Sequence, residues 1–425
     1  MKSRKDLLAG NWQTVAAKEE AAKSSVYDKD DRVMYWLNLG TAQYNARQYE
    51  AAQKNFVKAE AAIKDLWTTS VSEEASKLLV SETLSEYAGE DFEKILLYYY
   101  TSLNRLEAGH LQDAIIEIRR ADQFLNEIRA RYDKDDELST IYTKDAFVLW
   151  LIGLFHEIDR NYADAYLAYK EAYEVYQGNY AGLFSTPPPP FLAEDVVRTG
   201  RLSGGQSEDA YTFGQTTGAT GDTAENINTM GEVIVVHAVG EAPHKVQHKF
   251  TTNSKGSIVG VALPQFKITP AITTRSMISS GNLSVETAVA EPVEHIALAN
   301  FKHQLPVLKA RAAARAVAKF IAIKGAQKGS EAAAEQIAGG TVGQITGFLV
   351  GLLGSAAAVE ADQADLRGWT MLPANFRVAR IWVPTGPQQV TATFMNNAGQ
   401  TVSTKTFDVN LTAGERKILH IRTVR

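Results

Sequence analysis

One pattern of small and large residues recurs three times before the first proline, Pro187, and it restricts the chain more than any other feature. Leu39-Gly40-x-x-x-Tyr44 leads into Tyr49-x-x-Ala52-x-x-x-Phe56-x-x-Ala59. Leu106-x-x-Gly109-x-Leu111 leads into Ala114-x-x-x-Ile118-x-x-Ala121. Ile152-Gly153 leads into Tyr162-x-x-Ala165-x-x-x-Tyr169-x-x-Ala172. The three align without gaps across a helix–turn–helix unit. Two antiparallel helices approach closely only where side chains are small, so Gly40 and Gly153 in the first helix, and Ala52, Ala114 and Ala165 in the second, are the expected contact positions. Phe56, Ile118 and Tyr169 are the expected fillers. Apolar residues at helical spacing, such as Ile115, Ile118, Phe124 and Ile128, predict helices through residues 5–178.

The order Leu-Gly, Tyr, Ala, aromatic, Ala resembles the tetratricopeptide (TPR) repeat, with a generic helical bundle as the alternative. A fourth, partial match runs through Gly10-x-Trp12-x-x-Val15. There are departures: the terminal proline is absent, Arg47 and Arg160 stand where a turn glycine is usual, and the units lie roughly 50–60 residues apart rather than in tandem repeats of 34. The resemblance implies a superhelix whose concave surface, lined by the first helices, binds a partner. Tyr44, Tyr99 and Trp150 lie on those helices and are the candidate partner contacts, with core packing as their other reading.

Beyond the helices the composition changes. Pro187 to Pro190 form a run that adopts polyproline II geometry and cannot continue a helix. Residues 200–230 are rich in Gly, Ser, Thr, Asn and Asp, so 179–230 reads as a linker or an ordered excursion over the surface. From 231 to 425 strands are expected at 233–236, at 258–263 (ended by Pro264), at 275–278, at 380–383, at 390–394 and from 411 to 421. Asn397-Ala398-Gly399 reads as a hairpin turn and Ala413-Gly414 as the turn before the last strand. The fold class expected is therefore α+β: a TPR-like helical domain, then a small antiparallel β module split by a helical, glycine-rich insertion at about 291–364. Within the insertion, an Ala-rich helix from Pro306 to Lys324 carries Lys309, Arg311, Arg315, Lys319 and Lys324, a face able to touch anionic lipid headgroups. Gly339, Gly343, Gly347 and Gly351 fall four apart in a charge-free stretch, as in small-residue helix interfaces. That face would pack within the chain, or serve self-association into a homo-oligomer or membrane contact.

Forty-four Lys and Arg against 49 Asp and Glu, a net charge of −5, argue against a nucleic-acid partner. The absence of cysteine removes disulfides and thiolate chemistry. His244 and His248 are four apart in what reads as an extended segment, too far to share an ion; His295 and His303 are two helical turns apart. The carboxylates Asp28, Asp30 and Asp31, and Asp133, Asp135, Asp136 and Glu137, read as solvated connections. No metal site, cofactor or catalytic constellation is expected, and the chain reads as a non-enzyme. No apolar core follows the basic residues at the start, so the chain reads as cytoplasmic if Met1 is the true start, or as a mature exported chain.

Several stretches in order carry a wider resemblance: Tyr87-Ala-Gly-Glu-Asp-Phe-Glu-Lys94, Arg119-Arg120-Ala121, Asp145-Ala146-Phe147, Gly231-Glu232-Val233, Ala262-Leu263-Pro264, Arg311-Ala-Ala-Ala-Arg315 and Asp365-Leu-Arg367-Gly-Trp369-x-x-Leu372-Pro373. Together they resemble bacterial cell-envelope lipoproteins of uncharacterised function with N-terminal TPR-like repeats, over about residues 5–422. The resemblance implies export to the periplasm, outer-membrane association through a lipidated cysteine that this chain does not contain, and protein partners. It supplies no catalytic residues.

Overall fold

The structure is a computed structural model. It describes residues 4–70, 85–130, 141–142, 144–204, 207–254, 257–324 and 363–425, and all that follows concerns these. The fold is α+β. Helices α1 (Arg4–Ala9), α2 (Trp12–Ala21) and α3 (Lys23–Val26) precede three antiparallel helix pairs. The pairs are α4 (Arg32–Asn45) with α5 (Tyr49–Ser70), α6 (Asp91–Glu107) with α7 (Leu111–Arg129), and α8 (Ala146–Ile158) with α9 (Tyr162–Val175).

Each first helix ends in the same way. Arg47, Gly109 and Arg160 adopt φ of +61°, +89° and +62°. Their N–H groups donate to Tyr44, Leu106 and Glu157, while the next residues' N–H groups reach back to Gln43, Arg105 and His156. This is the Schellman termination, which needs a left-handed residue at that position. The two arginines therefore hold a conformation that glycine adopts at lower cost. The small residues lie where the pattern places them. A Cβ on Gly40 would come within 2.6 Å of the Phe56 ring, and one on Gly153 within 2.5 Å of the Tyr169 ring. Ala52, Ala114 and Ala165 have no exposure at all.

The expected linker is largely helical. After α10 (Ala181–Phe184) the chain runs extended to Pro189 and then enters α11 (Pro190–Leu202) and α12 (Ser207–Thr217). A proline run cannot continue a helix, but its last member can begin one, because the first helical position needs no N–H donor. The buried residues Leu192, Asp195, Val196, Arg198 and Thr199 place α11 inside the molecule.

The C-terminal half builds two four-stranded sheets. With β1 (Met230–Val239), β4 (Arg275–Ser280), β5 (Leu283–Glu286), β6 (Ala288–Glu291), β7 (Asn375–Pro384), β8 (Gly386–Met395), β9 (Thr401–Leu411) and β10 (Arg416–Thr423), the orders are β10-β1-β7-β6 and β5-β4-β8-β9. The sequence suggested an all-antiparallel module, whereas β1 and β10 pair in parallel, Glu232 opposite Arg416 through Val239 opposite Thr423. A separate hairpin joins β2 (His244–Ser254) to β3 (Ser257–Lys267). Pro264 does not end β3 but pairs with Gln247 in this two-stranded ribbon, where a missing N–H is tolerated at an edge. The helix of the insertion, α13, spans Val293–Lys324 and passes through Pro306 rather than starting there.

Side chains on the central sheet alternate between two cores. Val233, Val235, Ala379, Ile381, Val383 and Ile421 pack against Ile278, Val390, Ala392, Phe394, Val409 and Leu411 of the outer sheet. Ile234, Val236, Ala238, Phe376 and Val378 point the other way and join the core of the helical layer. The molecule is thus helices, sheet, sheet, with the middle sheet buried on both faces. This explains why β1 reads as a continuous β-branched run. One hydrophobic core runs from the helix pairs through α11 into the middle sheet.

Candidate functional site

The chain's own middle sheet packs against the helix pairs. Tyr44, Tyr99 and Trp150 are 2%, 0% and 1% exposed. Tyr44 packs on His420 of β10 at 5.0 Å between ring centroids, and Tyr99 on Phe376 of β7 at 4.5 Å. The Trp150 indole N–H donates to Asp195 at 3.3 Å. These residues lie on the first helices of the pairs, on a face covered by the rest of the chain rather than open to a partner.

Beneath Trp150 the two layers are joined by a charge cluster whose members come from five separate elements. Glu157 closes α8, Asp195 and Arg198 lie one turn apart on α11, and Glu232, Arg380 and Arg416 stand on the helix-facing side of β1, β7 and β10. Every one of these side chains is 3% exposed or less. Arg198 grips Glu157 with two bonds (2.7 and 3.0 Å) and Asp195 with one (2.7 Å). Arg380 reaches Glu157 (2.9 Å), Asp195 (2.8 Å) and both oxygens of Glu232 (2.7 and 2.8 Å). Arg416 bridges Glu157 (2.8 Å) and Glu232 (3.0 Å). The Tyr169 hydroxyl donates to Glu157 and accepts from Arg380.

Three carboxylates meet three guanidinium groups, so the cluster is formally neutral. Burial alone would raise the carboxyl pKa values. At Glu157 the fields of Arg198, Arg416 and Arg380 overcome it and hold the group well below the usual carboxylate range; at Glu232 Arg380 does the same to a smaller degree. Charge-assisted, multidentate bonds of this kind are the strong ones, and removing one partner leaves uncompensated buried charge. All six side chains are shielded from solvent, and their charges are met within the cluster.

Two stretches distant in sequence also meet at this layer boundary. The Trp369 backbone N–H donates to Glu93 (2.7 Å), whose other oxygen takes the Tyr87 hydroxyl (2.5 Å). The Trp369 indole N–H donates to Thr41 on α4. Arg367 pairs with Asp365 and reaches Asp31 and the backbone of Ser85. Tyr87 to Lys94 and Asp365 to Pro373, noted in the sequence for their order, are thus a contact between N- and C-terminal halves.

Where the two layers diverge, a cavity of about 830 Å³ remains. The C-terminal ends of α4 (Tyr44, Asn45, Arg47), α6 (Leu106, Glu107) and α8 (Ile158) form one wall, with Trp12 beside them. Strands β9 (Lys405 to Val409) and β10 (Arg416 to Arg422) form the other. Arg47, Lys405 and Lys417 stand exposed at its rim, and His420 and Arg422 lie deeper. Glu107 is occupied by the hydroxyls of Tyr44 and Tyr49 at 2.5 and 2.6 Å. Nothing in the local sequence points to this cavity, because its cations come from the end of α4 and from β9 and β10, strands of two different sheets.

Of the remaining candidates, His244 lies at the start of β2 with His248 further along it, and His295 and His303 lie on α13. Among the described residues no three His, Asp or Glu are grouped to hold a metal ion, and no helix is long and apolar enough to cross a membrane. Asp28, Asp30 and Asp31 form the turn that begins α4. Gly339, Gly343, Gly347 and Gly351, the 133–137 carboxylates, and the side chains of Arg315, Lys319 and Lys324 lie outside the described residues.

The fold is thus a layer of helices locked onto two packed sheets by a buried, formally neutral arginine–carboxylate cluster. No protein-family model and no curated protein matches this chain.

Proposed function

We propose that the protein is a non-enzymatic interaction scaffold or assembly factor of the bacterial cell envelope, acting on the periplasmic side of the outer membrane through a TPR-like helical layer. The observation that supports it is the repeated contact of a first-helix glycine with a second-helix aromatic, Gly40 on Phe56 and Gly153 on Tyr169, each beside a Schellman turn. That is the packing logic of an interaction repeat. Because the face that carries Tyr44, Tyr99 and Trp150 is covered by the chain itself, the partner surface of this reading is the outer one. There Ile116 on α7 and Leu167 on α9 stand two residues after Ala114 and Ala165, and are 60% and 54% exposed.

The test is a photocrosslinking amino acid at 116 or 167, with Leu283 on the outer sheet as control, introduced in cells that carry the gene. A discrete adduct from 116 and 167 but not from 283, in the membrane-associated envelope fraction, is the expected result. No adduct from either position, or recovery of the protein wholly in the cytosol, overturns the reading.

A further inference from the structure

We propose that the cavity between the ends of α4, α6 and α8 and strands β9 and β10 is a binding site for a phosphate-type oxyanion, either free phosphate or the phosphoryl group of a small molecule. It goes beyond the scaffold reading and does not depend on it, since neither Ile116 nor Leu167 lines the cavity.

The argument begins with charge. Arg416 lines the cavity but its nitrogens belong to the neutral cluster. Arg47, Lys405, Lys417 and Arg422 remain, and the carboxylates that line the cavity with them are Glu107 and Asp408. That leaves a formal excess of two positive charges, which a dianionic phosphoryl group matches and a single carboxylate does not. None of these four cations forms an ion pair among the described residues. Arg422 donates through one nitrogen to the carbonyls of Ala238 and Thr423, yet its Nε finds no hydrogen-bond partner among the described residues, and neither does His420 Nε2; both atoms are shielded from solvent. Two shielded, unsatisfied nitrogens on residues that line a cationic cavity are the costly arrangement that a bound acceptor relieves.

The cations also destabilise one another. Burial together with Arg422 and Lys405 pushes His420 down to about 3, so it is neutral and can donate from a ring nitrogen. Burial and the Arg47 charge lower Lys405, and burial lowers Arg422 to about 10. The helix ends at the rim present the negative poles of their dipoles, which steady a cation such as Arg47. Those poles are fractional charges, and the backbone bonds that end each helix already occupy carbonyls of all three last turns. They do not cancel the excess. A volume of 830 Å³ lies in the range of small-molecule sites, and Trp12, Tyr44 and Tyr49 offer aromatic surface for the body of a phosphorylated ligand.

The experiment is titration calorimetry of the full chain with inorganic phosphate, with glucose 6-phosphate as a phosphate monoester, and with acetate, all at matched ionic strength. Saturable binding of phosphate or of the ester, and none of acetate, is the expected result; tighter binding of the ester identifies the phosphoryl group of a small molecule as the source, and tighter binding of phosphate identifies the free ion. Arg422→Gln should weaken binding at least about tenfold, as loss of a charge-assisted contact does. Should that variant fold poorly, the rim double variant Arg47→Ala with Lys405→Ala, at exposed positions, should weaken binding several-fold with an unchanged circular dichroism spectrum. No saturable binding of either phosphate, equal binding of acetate, or undiminished binding by a folded Arg422→Gln variant would each overturn the proposal.

Discussion

Strand β10 presents Arg416 and Arg422 on the same face of the middle sheet, six residues apart, and the protein treats them in opposite ways. Arg416 enters a cluster in which three guanidinium groups and three carboxylates satisfy one another. Arg422 opens into a cavity where the neighbouring charges are mostly of its own sign. Glu232 and Glu157 carry depressed pKa values because cations surround them, while His420 and Lys405 are shifted toward their neutral forms by burial and like charges together, and Arg422 by burial. The contrast separates two uses of buried charge. The first fixes how the helical layer docks on the sheet. The second carries an electrostatic cost that the fold itself does not recover, and such costs concentrate where a protein meets a ligand.

The cluster should be the harder to disturb without damage. Arg380→Met leaves Glu157, Asp195 and Glu232 with only two cations, and should cost about 3–5 kcal/mol in urea denaturation. Acid should probe the same cluster. Glu157 and Glu232 have folded pKa values below their unfolded ones, so their stabilising contribution is complete above the ordinary carboxylate pKa near 4.3 and is lost as pH falls through the folded values. Denaturation midpoints for the parent chain should therefore drop steeply below about pH 4. The Arg380→Met variant, with weaker support for both carboxylates, should lose part of that slope; parallel curves for the two proteins would argue that other groups govern acid stability.

A smaller effect comes from the glycine that backs the cluster. The Tyr169 ring lies against Gly153, and its hydroxyl is held by Glu157 and Arg380 at the other end. With Gly153→Ala the ring cannot retreat without leaving the cluster, so the change should cost about 1–3 kcal/mol. Phe56 against Gly40 has no such tether, so Gly40→Ala should cost less. Equal losses at the two glycines, measured by the same denaturation, would mean that the tether to the cluster contributes nothing.

How much of this was legible follows from the range over which each feature is encoded. The Gly40 and Gly153 contacts, the alternation of β7 and β8 and the turn at Asn397 to Gly399 are local patterns, and local sequence carries them. Tyr44, Tyr99 and Trp150 lie on the first helices of their pairs, but what covers them, Phe376, His420 and the α11 carboxylate, lies from 45 to 376 positions away. The parallel pairing of β1 with β10 closes a span of 184 residues at Glu232 and Arg416, and no pattern within either strand announces it. Composition misled at 179–230, where a few buried residues at helical spacing in α11 outweigh the prolines before it. The charge cluster was invisible for the same reason as the cavity: each of its members alone reads as a solvated surface charge.

The smallest expected change tests the other half of the comparison. If Arg422 is carried at a cost, removing its charge should not weaken the fold as removing Arg380 does. Arg422→Gln keeps a donor for the carbonyls of Ala238 and Thr423 and deletes a guanidinium that Tyr100 and Glu241 only partly offset. The lost charge-assisted bonds and the relieved repulsion oppose one another, and each is of order 1 kcal/mol. The variant should therefore match the parent in urea denaturation within about 1 kcal/mol at low ionic strength. Added salt should narrow the remaining difference, because screening weakens the repulsion among Arg47, Lys405 and Lys417 at the exposed rim first. A loss as large as that of Arg380→Met would place Arg422 among the structural arginines and remove the distinction between the two clusters.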